Sequence, residues 1–157
     1  GPSFYKQTRL GRGGQPFTIL KFRTMHVDAE KEGQARWSHQ QDDRITRIGK
    51  FLRISRLDET PQLWNILKGD MSLVGPRPER PEFAAQLEAQ IPFYHTRVLM
   101  KPGLTGWAQI HYEYGNSTED ALIKLQYDFY YLRHWSFWLD IYTLFRTVAV
   151  VVKLKGM

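Results

Sequence analysis

Cysteine is absent from the 157 residues, which excludes disulfides and thiolate metal sites. The histidines, His26, His39, His95, His111 and His134, never fall within one helical turn of each other, so the paired-histidine zinc helix is excluded as well. No apolar run approaches the roughly 18–20 residues that a membrane-spanning helix requires. No signal peptide is visible, and there is no internal repeat or low-complexity linker. Disorder is excluded in turn by the residues that are present: 42% hydrophobic, 24% charged and 14% aromatic describe a folded chain with enough length for one real core.

Charge is in surplus but unevenly spread. The formal net charge is +6. Residues 1–56 carry twelve Lys/Arg against five Asp/Glu, and residues 57–157 carry ten against eleven. The positive field therefore fills the first third and stops just before Asp58 and Glu59. A localised basic field suits phosphates of nucleotides, nucleic acid or lipid headgroups; a solvated basic face is the plain alternative.

The periodicity predicts an α/β (α+β) chain, a small antiparallel sheet or hairpin surrounded by helices, folded as a single domain over residues 1–157. Phe4–Arg9 and Pro16–Arg23 read as two strands joined by the glycine-rich LGRGGQ. That link is not followed by a helix, which disfavours a phosphate-cradling loop. The polar stretch His26–Gln41 reads as a mobile loop with at most one short helix. Ile45, Ile48, Phe51 and Leu52 recur at helical spacing, with Asp42 and Asp43 placed to cap. A second helix is expected over Glu59–Lys68, opened by Asp58, tolerating Pro61 in its first turn, stopped by Gly69 and burying Leu63, Trp64, Ile66 and Leu67. Met71–Val74 should form a short strand ending in a Gly-Pro-Arg-Pro bend. A helix is expected over Glu82–Gln90, a strand near Trp107–Tyr112, a helix start at Ser117 or Thr118, and two closing helices near Glu119–Arg133 and Ser136–Val152.

In the last of these, Trp135, Trp138, Leu139, Tyr142, Phe145, Ala149 and Val152 share a stripe, with Lys153 and Lys155 beyond it. The spacing fits a core face first; the two Trp, Phe137 and the terminal lysines also fit an amphipathic helix lying at a membrane interface.

Asp58 and Glu59 admit two explanations. Carboxylates at a helix start complement its dipole. Yet they also repel by about 3–4 kcal/mol at a surface-like dielectric, and arginines or a divalent cation offset that repulsion. Neighbouring helical residues point about 100° apart, so one carboxylate can meet a substrate while the other holds a metal ion. Lys21 and Arg23 stand two apart on a strand and share a face. Arg53 comes from the preceding helix, and Arg77, between Pro76 and Pro78, sits on a stiff bend suited to gripping a phosphate. A solvated sheet face and a surface turn are the alternatives for these basic residues.

Taken together, KFRTM (Lys21–Met25), RIGKFLRISRLDETPQLWNILKGDMSLVGPRPE (Arg47–Glu79) and KPGLTGWAQI (Lys101–Ile110) closely resemble the bacterial sugar transferases, the polyprenyl-phosphate hexose-1-phosphate transferases also termed monotopic phosphoglycosyl transferases. The flanking FYKQTRLGRGGQPF and YDFYYLRHWSFWLDIYTLFRTV extend the resemblance over nearly the whole chain, and HYEYGNSTEDALIKLQYDFYYL resembles the long-form, exopolysaccharide-type members. The resemblance implies transfer of a sugar-1-phosphate from a UDP-sugar to undecaprenyl phosphate with release of UMP. It implies Asp58 as the nucleophile that forms a phosphosugar-aspartate, Glu59 as a holder of Mg²⁺, and Lys21, Arg23, Arg53 and Arg77 as phosphate-binding cations. It further implies a site on the inner leaflet of the bacterial cytoplasmic membrane, with the catalytic domain on the cytoplasmic side. Asp128 matches the family but receives no role.

Departures narrow these implications. Thr60 replaces a frequent leucine, and HYEYG (His111–Gly115) replaces an Asn-Gly followed by arginine, leaving the sugar open, as is the oligomeric state, a homo-oligomer included. The family's re-entrant membrane helix has no counterpart, so the chain is expected to be the C-terminal part of a longer membrane protein. Two rival readings compete. A nucleic-acid-binding module fits the basic charge but not the adjacent carboxylates, so no nucleic-acid partner is expected. A membrane-surface adaptor would rest on the last helix alone.

Overall fold

The computed structural model describes residues 1–29, 42–112, 115 and 117–152. Most of the expected His26–Gln41 loop, Glu113 and Tyr114 of the HYEYG segment, and Lys153 and Lys155 lie outside the described residues.

Alternation builds the first element. Strands β1 (Phe4–Leu10) and β2 (Pro16–Phe22) pair antiparallel, with Tyr5 opposite Lys21, Gln7 opposite Ile19 and Arg9 opposite Phe17. Opposed residues share a face, so these six side chains line one surface of the hairpin, where Ile19 is buried. The LGRGGQ link is a tight turn in which Gly13 and Gly14 take left-handed φ of 67° and 73°, a conformation that favours glycine. It feeds a strand, as expected of a hairpin.

Helix α1 (Arg47–Ile54) docks on the segment after β2. The Thr24 carbonyl accepts from Thr46 N at 2.9 Å and from Thr46 Oγ1 at 3.2 Å. Thr46 is the true N-cap, its Oγ1 accepting from Gly49 N at 2.9 Å. Asp42 and Asp43, expected as caps, lie too far upstream, because Ile45 is held extended by a bridge to Met25. Asp42 instead accepts from the Arg44 backbone N and pairs with its guanidinium.

The second helix begins later than the sequence implies. Leu57–Glu59 is a 3₁₀ turn entered through Arg56 in the left-handed region (φ 59°), and α2 runs Gln62–Leu67 behind Pro61 with no side-chain cap. Asp58 therefore does not cap it. Gly69, at φ 86°, ends the segment as expected.

The helix faces are also reversed. Leu63, Trp64 and Leu67, expected inside, are exposed, Leu67 by 80%, whereas Gln62 and Asn65 are 2% and 1% exposed. On α1, Ile48 and Phe51 face solvent too. The reason lies in what α2 covers. It packs on the backbone of β2, where Asn65 Nδ2 donates to Thr18 O (2.8 Å) and Leu20 N donates to Asn65 Oδ1 (3.1 Å). An apolar seam would leave those backbone groups unsatisfied.

Strand β3 (Ser72–Val74) follows, then α3 (Pro81–Glu88), a 3₁₀ turn over Tyr94–Leu99, and β4 (Gly103–Thr105), which pairs parallel with β3. The expected strand near Trp107–Tyr112 is instead helix α4 (Trp107–His111); the strand lies just upstream. Crowding fixes that register. A Cβ on Gly103 would meet Gly75 N at 2.1 Å, and one on Gly75 would meet Lys101 O at 2.5 Å. The two backbones approach this closely only because both residues are glycine.

Helix α5 (Thr118–His134) opens on a capping box in which Ser117 and Asp120 exchange hydrogen bonds, and α6 (Phe137–Val152) closes the described chain. The core sits between α3, the Tyr94–Leu99 turn and α5, around Ala84, Leu87, Ile91, Tyr94 and Leu125. Helix α6 repeats the inversion of α2. Thr143 is fully buried and Thr147 Oγ1 lies 2.7 Å from Thr105 Oγ1, while Trp135, Phe137, Trp138 and Phe145 are exposed, Trp138 by 77%. The aromatic stripe is therefore not core. No described helix is long and apolar enough to cross a membrane.

Candidate active site

Four segments meet around Asp58 and Glu59. The inner face of the hairpin delivers Lys21, whose Nζ donates to Glu59 Oε1 at 2.7 Å. The Pro76–Pro78 bend delivers Arg77, whose Nη2 donates to the same oxygen at 2.8 Å. Helix α1 delivers Arg53, and the 3₁₀ turn itself presents Asp58. Burial alone would raise the Glu59 pKa, but Arg77 and Lys21 overcome it and hold the carboxylate ionised far below its ordinary range.

Asp58, beside it, is also buried but carries no hydrogen bond or ion pair among the described residues. Its pKa is raised, first by burial and then by the charge of Glu59, with Lys21, Arg77 and Arg53 pulling it back only partly. The adjacent carboxylates thus differ in kind. One is neutralised and locked; the other is close to the same cations and left without a partner.

The remaining basic residues divide. Arg53 Nε donates to Thr24 Oγ1 at 2.9 Å, which ties α1 to the end of β2. Arg23 does not join the cluster around Glu59. It lies beyond the end of β2, donates to Pro2 O and Phe4 O and stacks over the Tyr5 ring at 5.6 Å. Arg23 keeps the Lys21 face, over the Tyr5 ring that stands opposite Lys21, but at the open end of the hairpin, where the carbonyls of Pro2 and Phe4 take its guanidinium.

Residues 1–154 match the bacterial sugar transferase family. The chain belongs to that family. Relatives include the UDP-N-acetylgalactosamine-undecaprenyl-phosphate N-acetylgalactosaminephosphotransferase of Aeromonas hydrophila, 44% identical over 152 residues that cover 97% of this chain and 36% of that protein. A UDP-glucose:undecaprenyl-phosphate glucose-1-phosphate transferase of Xanthomonas campestris pv. campestris is 43% identical over 157 residues, 99% of this chain and 32% of that protein. One so named from Caulobacter vibrioides is 44% identical over 150 residues, 94% of this chain and 56% of that protein. The chain thus spans between a third and somewhat over half of these relatives.

In this member of the family the bend that carries Arg77 is braced from behind. Arg97 Nη2 donates to the Arg77 carbonyl at 3.0 Å and pairs with Asp128 Oδ2 at 2.9 Å, and Arg97 Nη1 donates to Tyr94 OH at 2.6 Å. Burial works against the Arg97 charge, but Asp128 more than restores it. Asp128 therefore has a structural place: it anchors from α5 the arginine that fixes the backbone under Arg77. Asp128 was legible in principle. It falls between Leu125 and Tyr131 on the buried stripe of α5, where a carboxylate requires a partner. Arg97, in a 3₁₀ turn without periodicity, carries no such signal.

The donor set sets limits on a metal. Among the described residues no group of three or more His, Cys, Asp and Glu could enclose one. Asp58 is the unengaged carboxylate; with Glu59, whose Oε1 is already taken by Lys21 and Arg77, it fits the mode in which Mg²⁺ takes one or two carboxylates and completes its shell with substrate phosphates and water.

Proposed function

We propose that this domain transfers a sugar-1-phosphate from a UDP-sugar to undecaprenyl phosphate by way of an aspartyl intermediate. The observation that carries the reading is the unpaired Asp58 carboxylate beside a glutamate already neutralised by Lys21 and Arg77. An Asp58 oxygen attacks the sugar-linked phosphorus, the bond to the UMP oxygen breaks, and UMP leaves with the electron pair. An oxygen of the lipid phosphate then attacks the same phosphorus and releases Asp58, giving a diphosphate-linked sugar. A carboxylate approaches an anionic phosphorus only where cations screen it, and Lys21, Arg77 and Arg53 lie close enough to offset part of the rise that burial and Glu59 impose on the Asp58 pKa. Arg23 would reach the substrate only from the rim. Glu59 and Asp58 would hold Mg²⁺, which would supply neutralisation of diphosphate charge.

The acceptor is a lipid, and the exposed apolar residues of α1 and α2 (Ile48, Phe51, Leu63, Trp64 and Leu67) flank the turn that bears Asp58. This supports action at the surface of the cytoplasmic membrane, on its inner leaflet, with α6 contributing an aromatic face. The product would open lipid-linked synthesis of an exopolysaccharide, O-antigen or glycoconjugate. The names of the relatives differ in their sugar at almost equal identity, so the sugar is decided locally and not by overall likeness. Natural-length protein in membranes, incubated with a UDP-sugar and Mg²⁺, should yield an Asp58 peptide heavier by one phosphosugar in mass spectrometry. Full UMP release by an Asp58→Asn variant would sink the proposal.

A further inference from the structure

Next to Glu59 lies a small cleft lined by Arg9, Ile19, Lys21, Gln62, Arg77, Pro78 and Gly103. Two buried N–H donors of its lining, Arg9 Nε and Gln62 Nε2, have no hydrogen-bond partner among the described residues. Buried donors are almost always satisfied, and each exception calls for a reason. Of the five such atoms, donors and acceptors together, among the described residues, these two share one cleft.

Neither side chain is loose. Gln62 is 2% exposed on the first turn of α2. Arg9 is tied to the bend, with Nη1 donating to Pro78 O at 3.1 Å and Nη2 to Gln7 Oε1 at 2.6 Å, and its nearest carboxylate, Glu79, stands 3.7 Å from Nη1. Hairpin register puts Arg9 on the same face as Lys21. The lining therefore combines three cations with an amide donor. Glu59 is the carboxylate that engages two of those cations, Lys21 and Arg77. Water would satisfy the two donors alone; a ligand that accepts hydrogen bonds and also carries negative charge would engage the three cations of the lining as well, and a tetrahedral phosphoryl group does both.

We propose that Arg9 and Gln62 complete, with Lys21 and Arg77, a phosphoryl-binding subsite that neither the basic field nor the acidic pair announces. The inference rests on the proposed transfer for the source of the phosphoryl group, which is either the diphosphate of the nucleotide sugar or the phosphate of the polyprenyl acceptor. In the first case Arg9 and Gln62 orient the donor; in the second they seat the acceptor.

Binding is to be read without turnover, in natural-length Asp58→Asn protein, by titration with inorganic phosphate, UDP-glucose and a short-chain polyprenyl phosphate. Gln62→Leu and Arg9→Lys should each weaken phosphate binding about tenfold. Gln62→Leu, which removes an unpaired buried donor, should melt no lower than its parent, a combination that a merely structural glutamine would not give. Gln62→Glu, which keeps the shape and adds a repelling charge, should bind weakest. Loss of UDP-glucose affinity alone assigns the subsite to the donor, and loss of polyprenyl phosphate affinity alone to the acceptor; either supports it. Absence of phosphate binding in the parent, or unchanged affinity for all three probes in Gln62→Leu and Arg9→Lys, would overturn it. If phosphate binding depends on Gln62 and Arg9 while Asp58→Asn still releases UMP, the transfer reading fails and the subsite stands.

Discussion

At the scale of single residues, the adjacent carboxylates carry opposite electrostatic consequences. Asp58 has a folded-state pKa above its ordinary 3.8, so the folded protein holds that proton more tightly than the unfolded chain. Its ionisation consequently destabilises the fold as pH rises through the folded pKa. Asp58→Asn is expected to raise the melting temperature at pH 7, with the gain vanishing below pH 3.8, while abolishing UMP release; scanning calorimetry across pH checks the sign. Glu59 behaves in the reverse sense. Its lowered pKa contributes stability above the unfolded value of 4.5, and that contribution declines as pH falls below it. Glu59→Gln, which leaves Lys21 and Arg77 without their shared acceptor, should lose about 3 kcal/mol near neutral pH in urea unfolding, and the difference from wild type should narrow in acid.

At the scale of elements, glycine contacts and buried amides set the geometry of the site. Gly49 is where α1 meets the Thr24 backbone, and a Cβ there would lie 2.0 Å from Thr24 O. Gly49→Ala must therefore push α1 outward, stretching the Thr46–Thr24 bonds and the Arg53–Thr24 contact. A loss of about 1–3 kcal/mol is expected in denaturant unfolding, together with slower formation of the proposed intermediate at Asp58, because Arg53 travels with α1. The hairpin, the closing helices and the Gly69 stop were legible because each is written locally, in alternation, capping and a left-handed glycine. The strand near Trp107–Tyr112 was misplaced for an equally physical reason. The glycines that look like a turn in KPGLTG are the ones that allow the β3–β4 approach, and closeness to Gly75 cannot be read from within that segment.

At the scale of the whole molecule, two helices turn their polar residues inward and their apolar residues out. Such a face requires an apolar neighbour, which the proposed membrane surface would supply. Trp64→Glu and Leu67→Glu, both at exposed positions, should alter stability by no more than about 0.5 kcal/mol yet sharply reduce co-sedimentation with vesicles containing anionic lipid. Unchanged vesicle binding would argue against α2 as part of the contact.

The family, the α/β class, the hairpin and the closing helices could be read from the chain alone, as could the expectation that Lys21, Arg23, Arg53 and Arg77 serve Asp58 and Glu59, because motif order and local periodicity are properties of the chain. The folded chain settles which cations reach which carboxylate. Strand parity puts Arg23 and Lys21 on one face, but Arg23 stands at the open end of the hairpin with its guanidinium on Pro2 O and Phe4 O, and of the two only Lys21 reaches Glu59. The fold also settles which helix faces are buried. Leu63, Trp64 and Leu67 carry the hydrophobic signal, but the surface beneath α2 is backbone in need of hydrogen bonds, and Asn65 can meet that need where leucine cannot.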